Sequence, residues 1–259
     1  MKAICVIPAR FGSKRFPGKA LASETGKPLI QHVYEAAARA RRLDVVLVAT
    51  DDVRIRAAVE KFGGCVVMTR PDHPCGTSRV AEAARAFPDA EIVINFQGDE
   101  PELDPHLLDM AVEAMRKDPR IEAATVAGPL APKEVNDPNS VKVALAVGGD
   151  ALYFSRAPIP WARDGEAGRR APMLKHFGIY AYRAAALRDY AAMAPTPLEE
   201  TEKLEQLRWL ENGRRMRVLV TDRRPAGIDT PDDYAAFVAR YKKGSYRGER
   251  RERRERIES

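Results

Sequence analysis

The sequence predicts an α/β fold, a mainly parallel sheet with helices on both faces and a smaller mixed second lobe. Short runs rich in β-branched residues recur through the first 96 positions, and segments of helical periodicity separate them. After residue 120 the strand-like runs continue, but with longer connections.

KAICVI (2–7), LDVVLVAT (43–50), GCVVMT (64–69) and EIVINF (91–96) read as buried strands. Ile55, Ala58, Val59 and Phe62 stand at i, i+3, i+4 and i+7, as do Val80, Ala83, Ala84 and Phe87, and then Leu108, Ala111, Val112 and Met115. Each set shares one face of a helix. A β-α-β-α order implies right-handed crossovers between parallel strands, a Rossmann-like arrangement whose ligands belong at the carboxyl ends of the strands. Residues 1–120 form this first half. In the second half, 121–241 of the same domain, strands are expected at 121–126, 141–147, 151–154, 177–182 and 216–220. Helical patterns intervene at 184–194 and 198–212, and a last helix starts at Thr230-Pro231 with Tyr234, Phe237, Val238 and Tyr241 on its apolar side. The connections at 128–138 and 157–172 combine Gly, Pro and charge, as mobile loops do.

Composition narrows the class. A chain of 259 residues with 45% apolar content can bury a full core. Its three cysteines, Cys5, Cys65 and Cys75, form no CxxC pair, which argues against a disulfide framework or a zinc site and favours a cytoplasmic protein. No run approaches the ~20 apolar residues of a membrane span. The net charge of +6 is concentrated in the tail, where residues 242–259 hold eight Lys/Arg against four Glu. The remaining 35 basic and 33 acidic residues nearly balance, so nucleic acid is not an expected partner. Glu249/Arg253 and Glu252/Arg256 stand at i,i+4 in that tail with almost no apolar stripe, the mark of a solvated, partly helical or disordered extension.

The opening connection is unusual. From Pro8 to Lys27 it runs about 20 residues, far beyond the roughly 2–6 of a βα loop. IPARFGSKRFPGKAL sets Arg10, Lys14, Arg15 and Lys19 among Gly12, Pro17 and Gly18, a pattern suited to phosphate oxygens. It is no Walker A loop: Gly12 and Gly18-Lys19 enclose five residues, not four, and Ala20 stands where a metal-binding hydroxyl is needed. No GxGxxG follows the first strand either, which removes a dinucleotide-dependent oxidoreductase. In NFQGDEP (95–101) the strand ends so that Asp99 reaches the same crevice. A carboxylate beside a polyphosphate implies a divalent cation between them, although Asp99 alone is equally a turn residue. Asp229, in GIDTP, is the candidate second ligand and equally a helix-entry residue.

PARFGSKRFPGK, RPDHPCGTSR, NFQGDEP, PNSVKV, ALYFSRAPIPW, KHFGIYAYR, PLEETEKLEQLRWL and GIDTPDD follow one another in this order. Together, over about residues 2–240, the chain closely resembles the 3-deoxy-manno-octulosonate (KDO) cytidylyltransferases, the bacterial CMP-KDO synthetases. The resemblance implies attack of the KDO anomeric hydroxyl on the α-phosphate of CTP, with pyrophosphate leaving and CMP-KDO made for lipopolysaccharide assembly. It makes the first half nucleotide-binding and the second the acceptor-sugar and dimerisation half, and it implies Mg2+ and a homodimer. Arg10 and Lys19 would hold the triphosphate, and Asp99 and Asp229 the magnesium. Ala9, Ser13, Gly76 and Thr77 would contact the nucleotide. Arg163 would take the sugar carboxylate, and His176, Tyr180, Glu205 and Gln206 its hydroxyls. Read as residues alone, His176 and Tyr180 have an alternative as paired core residues, and Glu205 and Gln206 as an exposed helix face. Ser78 departs from the acidic residue usual in the family, so no role passes to it. The alternatives are cytidylyltransferases for 8-amino-KDO or sialic acid, although a sialic acid enzyme would lack Arg15 and the Pro17-Gly18-Lys19 order. From another class, the alternative is a non-catalytic nucleotide-binding protein.

Overall fold

In the computed structural model, which describes residues 1–12, 16–165, 170–223, 227–228 and 230–258 with side chains as far as residue 244, strand β1 (Lys2–Ala9) organises both layers of the core. Successive side chains of a strand point to opposite faces. Ala3, Cys5, Ile7 and Ala9 therefore enter one apolar cluster, and Ile4 and Val6 the other. On the first face lie α1 (Leu29–Ala38), α2 (Val53–Lys61) and α4 (His106–Lys117). On the second lie α3 (Gly76–Ala84), α5 (Ala184–Ala192) and α7 (Gln206–Glu211).

β1 pairs in parallel with β2 (Val45–Thr50) on one side and with β4 (Ala90–Phe96) on the other, and β3 (Cys65–Met68) extends the β2 side. The chain thus reverses its direction of travel across the sheet between β1 and β4, and a crevice opens at their carboxyl ends. Beyond β4 the order continues through β8 (Leu174–Arg183), β5 (Ala123–Pro129) and β9 (Arg217–Val220). β8 is antiparallel to both its neighbours, and β9 is parallel to β5. A hairpin of β6 (Lys142–Leu145) and β7 (Ala151–Ser155) joins the same sheet through β8. The mixed character expected after residue 120 is present, but it extends one nine-stranded sheet, because β8 runs back between β4 and β5. β4 meets β8 from Ile179 onward, and β6 meets it at Leu174 and Lys175. The step between these two pairings opens a second cleft beside β8.

The pattern at 198–212 predicts one helix, whereas the chain forms α6 (Pro197–Glu202) and then α7. Lys203 parts them with φ of 54°, a left-handed conformation that no right-handed helix can continue through. The last helix, α8 (Pro231–Glu258), is capped where Thr230 accepts from the Asp233 N–H through Oγ1 at 3.2 Å and Asp233 accepts from the Thr230 N–H at 2.8 Å. Tyr234 and Phe237 bury against Leu29 and Ile228, and the His32 ring meets Phe237 and Tyr241 at 5.2 and 4.7 Å. These anchors end at Tyr241, and the charged tail continues the helix beyond them. A chain ending at Lys242 is expected to melt cooperatively and to keep its turnover within about twofold, as loss of a solvated extension should. Loss of turnover in a truncated protein that still melts cooperatively would place the tail at an active site.

Candidate active site

Lys19 begins a single 3-10 turn after a loop that Gly18 closes by donating its N–H to the Phe11 carbonyl at 2.9 Å. The φ of Gly18 is 72°, which glycine adopts without steric cost. The Lys19 ammonium then donates to Asp99 Oδ2 and to the Ile228 carbonyl, each at 2.8 Å, and the Ile228 N–H donates to the Asp99 carbonyl at 2.8 Å. Three distant parts of the sequence, the opening loop, the end of β4 and the GIDTP segment, thus meet at one ammonium.

Two neighbouring cavities lie nearby, and Asp99 and Ile228 of this junction line the second of them. One, of about 700 Å3 at the end of β1, is lined by Ala9, Arg10, Gly76, Arg79 and Gln97 among others. The other, of about 900 Å3 beside β8, is lined by Asp99, Glu100, His176, Tyr180 and Gln206 among others. The wall between them comes from two short stretches whose neighbouring residues face opposite ways. Gln97 faces the β1 cavity and Asp99 the β8 cavity, and Glu205 and Gln206 divide in the same manner. Strand β8 lies close against this wall: a Cβ on Gly178 would fall 2.8 Å from Gln97 Cγ.

In the β1 cavity, Arg10 has no ion pair among the described residues, whereas Arg79 is held by Asp51 at 2.9 Å and by Thr69 Oγ1 at 2.6 Å. Thr77 is buried behind the lining; its N–H donates to Glu205 Oε2 at 3.1 Å and its hydroxyl accepts from Asn95 at 2.9 Å. Glu205, grouped by sequence with the acceptor residues, therefore lies with Gly76 and Thr77. Ser78 donates to the Cys75 carbonyl at 2.9 Å, and the carboxylate on the neighbouring His73 ring is Glu82, one helical turn later, at 2.7 Å.

The β8 cavity is built for hydrogen bonding. The Thr125 hydroxyl donates to the Ile179 carbonyl at 2.6 Å, so at the 2.8 Å contact with His176 it is the ring that donates, from Nε2. That assignment leaves Nδ1 as an acceptor. Burial pushes the His176 pKa down to about 3, and the ring is neutral. Burial likewise raises Tyr180, whose hydroxyl donates to Gln206 Oε1 at 3.0 Å. Gln206 is 2% exposed, no free helix face, and its Nε2 has no hydrogen-bond partner among the described residues. Lys175, which directly precedes His176 and carries no role by motif, also lines this cavity, paired with Glu134 at 2.6 Å. Arg163 is exposed and lines neither cavity, and Ser13 and Asp229 lie outside the described residues.

The neutral histidine has a measurable consequence. An unfolded His176 takes up a proton near its ordinary value of about 6.5, while the folded ring does so only near 3. Its contribution is complete above pH 6.5 and is lost as the pH falls below it, because only the unfolded state binds the proton. Between pH 7 and 5 the wild type is expected to lose about 2 kcal/mol more than His176→Gln in urea denaturation. Equal pH slopes would rule out a neutral buried ring.

Among the described residues no three His, Cys, Asp or Glu side chains gather as a metal cluster. Magnesium needs only one or two carboxylates when waters and substrate phosphates complete its shell. Asp99, an oxygen donor at the junction of the cavities, fits that requirement.

Residues 4–216 match the family model described as cytidylyltransferase. The 3-deoxy-manno-octulosonate cytidylyltransferase of Pelobacter propionicus is 48% identical over 251 residues, covering 93% of this chain and 98% of the relative. That of Syntrophobacter fumaroxidans is 50% identical over 241 residues, covering 92% and 96%. Among solved structures, CMP:2-keto-3-deoxy-manno-octonic acid synthetase complexed with CTP superposes with a TM-score of 0.88 at 42% identity, covering 94% of this chain and 100% of that one. Likeness of this extent runs through both cavities and the whole sheet, and the chain belongs to the 3-deoxy-manno-octulosonate cytidylyltransferase family.

Proposed function

We propose that this chain transfers CMP from CTP to KDO, with Mg2+ as cofactor. The observation that carries the reading is the pair of cavities meeting at Gln97–Asp99 and Glu205–Gln206, one presenting Arg10 and the helix start at Gly76, the other presenting neutral His176, Tyr180 and Gln206 beside charged Asp99, Glu100 and Lys175. In the β1 cavity Arg10 and the positive end of α3 at Gly76 favour a triphosphate, although the Thr77 N–H is already taken by Glu205. In the β8 cavity His176 Nδ1 accepts from a sugar hydroxyl, and Gln206 holds the Tyr180 hydroxyl beside it. The anomeric hydroxyl gives up its proton to water as its oxygen bonds to the α-phosphorus, and the bond from the α-phosphorus to the bridging oxygen of the β-phosphate breaks to release pyrophosphate. Such a reaction depends on positioning and charge neutralisation more than on a covalent nucleophile. Asp99, with Asp229, would hold magnesium, which when bound lowers the pKa of the sugar hydroxyl and offsets phosphate charge. Lys19 keeps the Asp99 carboxylate in place. Incubation with CTP, magnesium and KDO is expected to release pyrophosphate and form CMP-KDO. A folded protein that binds CTP and releases no pyrophosphate with any keto-acid sugar would instead be a non-catalytic nucleotide-binding protein.

We also infer a homodimer, supported by the exposed apolar Val147 and Leu152 on the β6–β7 hairpin and its turn. Sedimentation at twice the chain mass is the expected result. No described helix is long and apolar enough to cross a membrane.

A further inference from the structure

PNSVKV and ALYFSRAPIPW belong to the resemblance, yet Lys142 and Arg156 within them line neither cavity. Lys142 is nevertheless fully buried on β6. A buried ammonium is costly unless its donors find acceptors. Here Nζ donates to the Asp137 carbonyl at 2.7 Å and to the Arg156 carbonyl at 2.9 Å. Burial lowers its pKa, and the charges of Asp137, Glu134 and Glu202 oppose that shift. Arg156 continues the framework: Nη1 donates to the Pro138 carbonyl at 2.7 Å, and Nε to the Glu202 carbonyl at 2.7 Å. Two cations therefore grip, from behind, the carbonyls of residues 137 and 138. Asp137, Asn139 and Ser140 of that same segment line the β8 cavity together with His176 and Gln206.

We propose that Lys142 is a positioning residue for the acceptor: it touches no substrate and fixes the 137–140 wall against which the sugar acid is oriented. Packing alone gives no reason for a lysine here, since an apolar side chain of similar volume fills the same space. What an apolar residue cannot supply is a donor to each of two carbonyls, and hence a set position for the wall. The proposal rests on reading the β8 cavity as the acceptor site.

Lys142→Met in the full chain tests it. Loosening the wall is expected to raise the acceptor KM by ~10-fold or more while the CTP Kd stays within about twofold, because only the acceptor loses its orientation. Amide hydrogen exchange at 139–141 is expected to quicken by ~10-fold or more, with β1 unaffected. Arg156→Met, which frees the Pro138 carbonyl from a partly exposed position, is expected to move both readouts in the same direction, and it decides the matter if Lys142→Met does not fold. Unchanged acceptor KM in a folded variant overturns the proposal, with or without faster exchange. Parallel rises for acceptor and CTP overturn it too, since they indicate a general structural role. If the wild type does not turn over KDO, the reading of the cavity fails, and exchange at 139–141 alone then decides whether Lys142 holds the wall.

Discussion

Asp99→Asn is expected to lower turnover by ~10²-fold or more in a protein that still folds, and Lys19→Ala to do the same, as loss of a single electrostatic stabiliser does. The fold should survive because each side chain is only part of the junction. In Asp99→Asn the backbone bond from Ile228 to residue 99 remains, and Lys19 keeps its bond to the Ile228 carbonyl. What disappears is the negative charge 2.8 Å from the ammonium. Two roles for that charge make different forecasts. If Asp99 serves only to balance Lys19, the double variant restores much of the activity, since no unpaired charge is left. If Asp99 also holds magnesium, the double variant stays as impaired as Asp99→Asn, and the magnesium concentration for half-maximal rate rises in Asp99→Asn. The second pattern is expected. Circular dichroism monitors the fold, and near-normal pyrophosphate release from either folded single variant, with CTP and magnesium saturating, would remove that residue from the mechanism.

The parts of this arrangement that are legible in the sequence are those set by local pattern. β1, β2 and β4 are mostly apolar because both their faces are covered, whereas β3, at the sheet edge and read as a buried strand, is only half-buried; α2, α3 and α4 show their buried stripes at helical spacing. The length of the opening loop and its Arg and Lys likewise mark the end of β1 as a ligand site. What stays hidden depends on long-range pairing. Nothing in KHFGIYAYR says that β8 inserts antiparallel between β4 and β5, yet that insertion creates the second cavity. The split at Lys203 has no glycine to announce it, and the segment reads as one helix. Glu205 and Gln206 are adjacent in one motif, so sequence assigns them one role. Residue 205 caps α7 and 206 begins it, which turns one side chain toward Thr77 and the other toward Tyr180. Arg163 shows the opposite difficulty: its motif neighbours are clear, but its place on a loop gives no spatial constraint, and it is exposed away from the lining of either cavity.

The largest expected effect concerns acceptor choice. With CTP and magnesium, KDO is expected to be converted at least ~10⁴-fold more efficiently than sialic acid, the scale reached by sites built to hydrogen-bond particular hydroxyls. The discrimination comes from the polar groups that line the acceptor cavity: His176 Nδ1, an acceptor because Nε2 donates to Thr125, and Gln206, whose Oε1 accepts from Tyr180. Both belong to buried side chains whose positions are held, one by Thr125 and the other by Tyr180. A sugar whose hydroxyls do not meet them leaves desolvated polar groups unpaired, each at a cost of about 1–3 kcal/mol. Sialic acid also carries N-acetyl and glycerol arms that a site fitted to KDO need not admit. The check is pyrophosphate release with each sugar across a range of concentrations, and then with Gln206→Leu, where the preference should shrink because the Tyr180 hydroxyl is no longer held in the cavity. Equal or better conversion of sialic acid would overturn the substrate while sparing the reaction class. A clear preference for 8-amino-KDO would change only the group expected at the far end of the sugar, since an amine there still leaves the remaining hydroxyls to be met by His176 and Gln206.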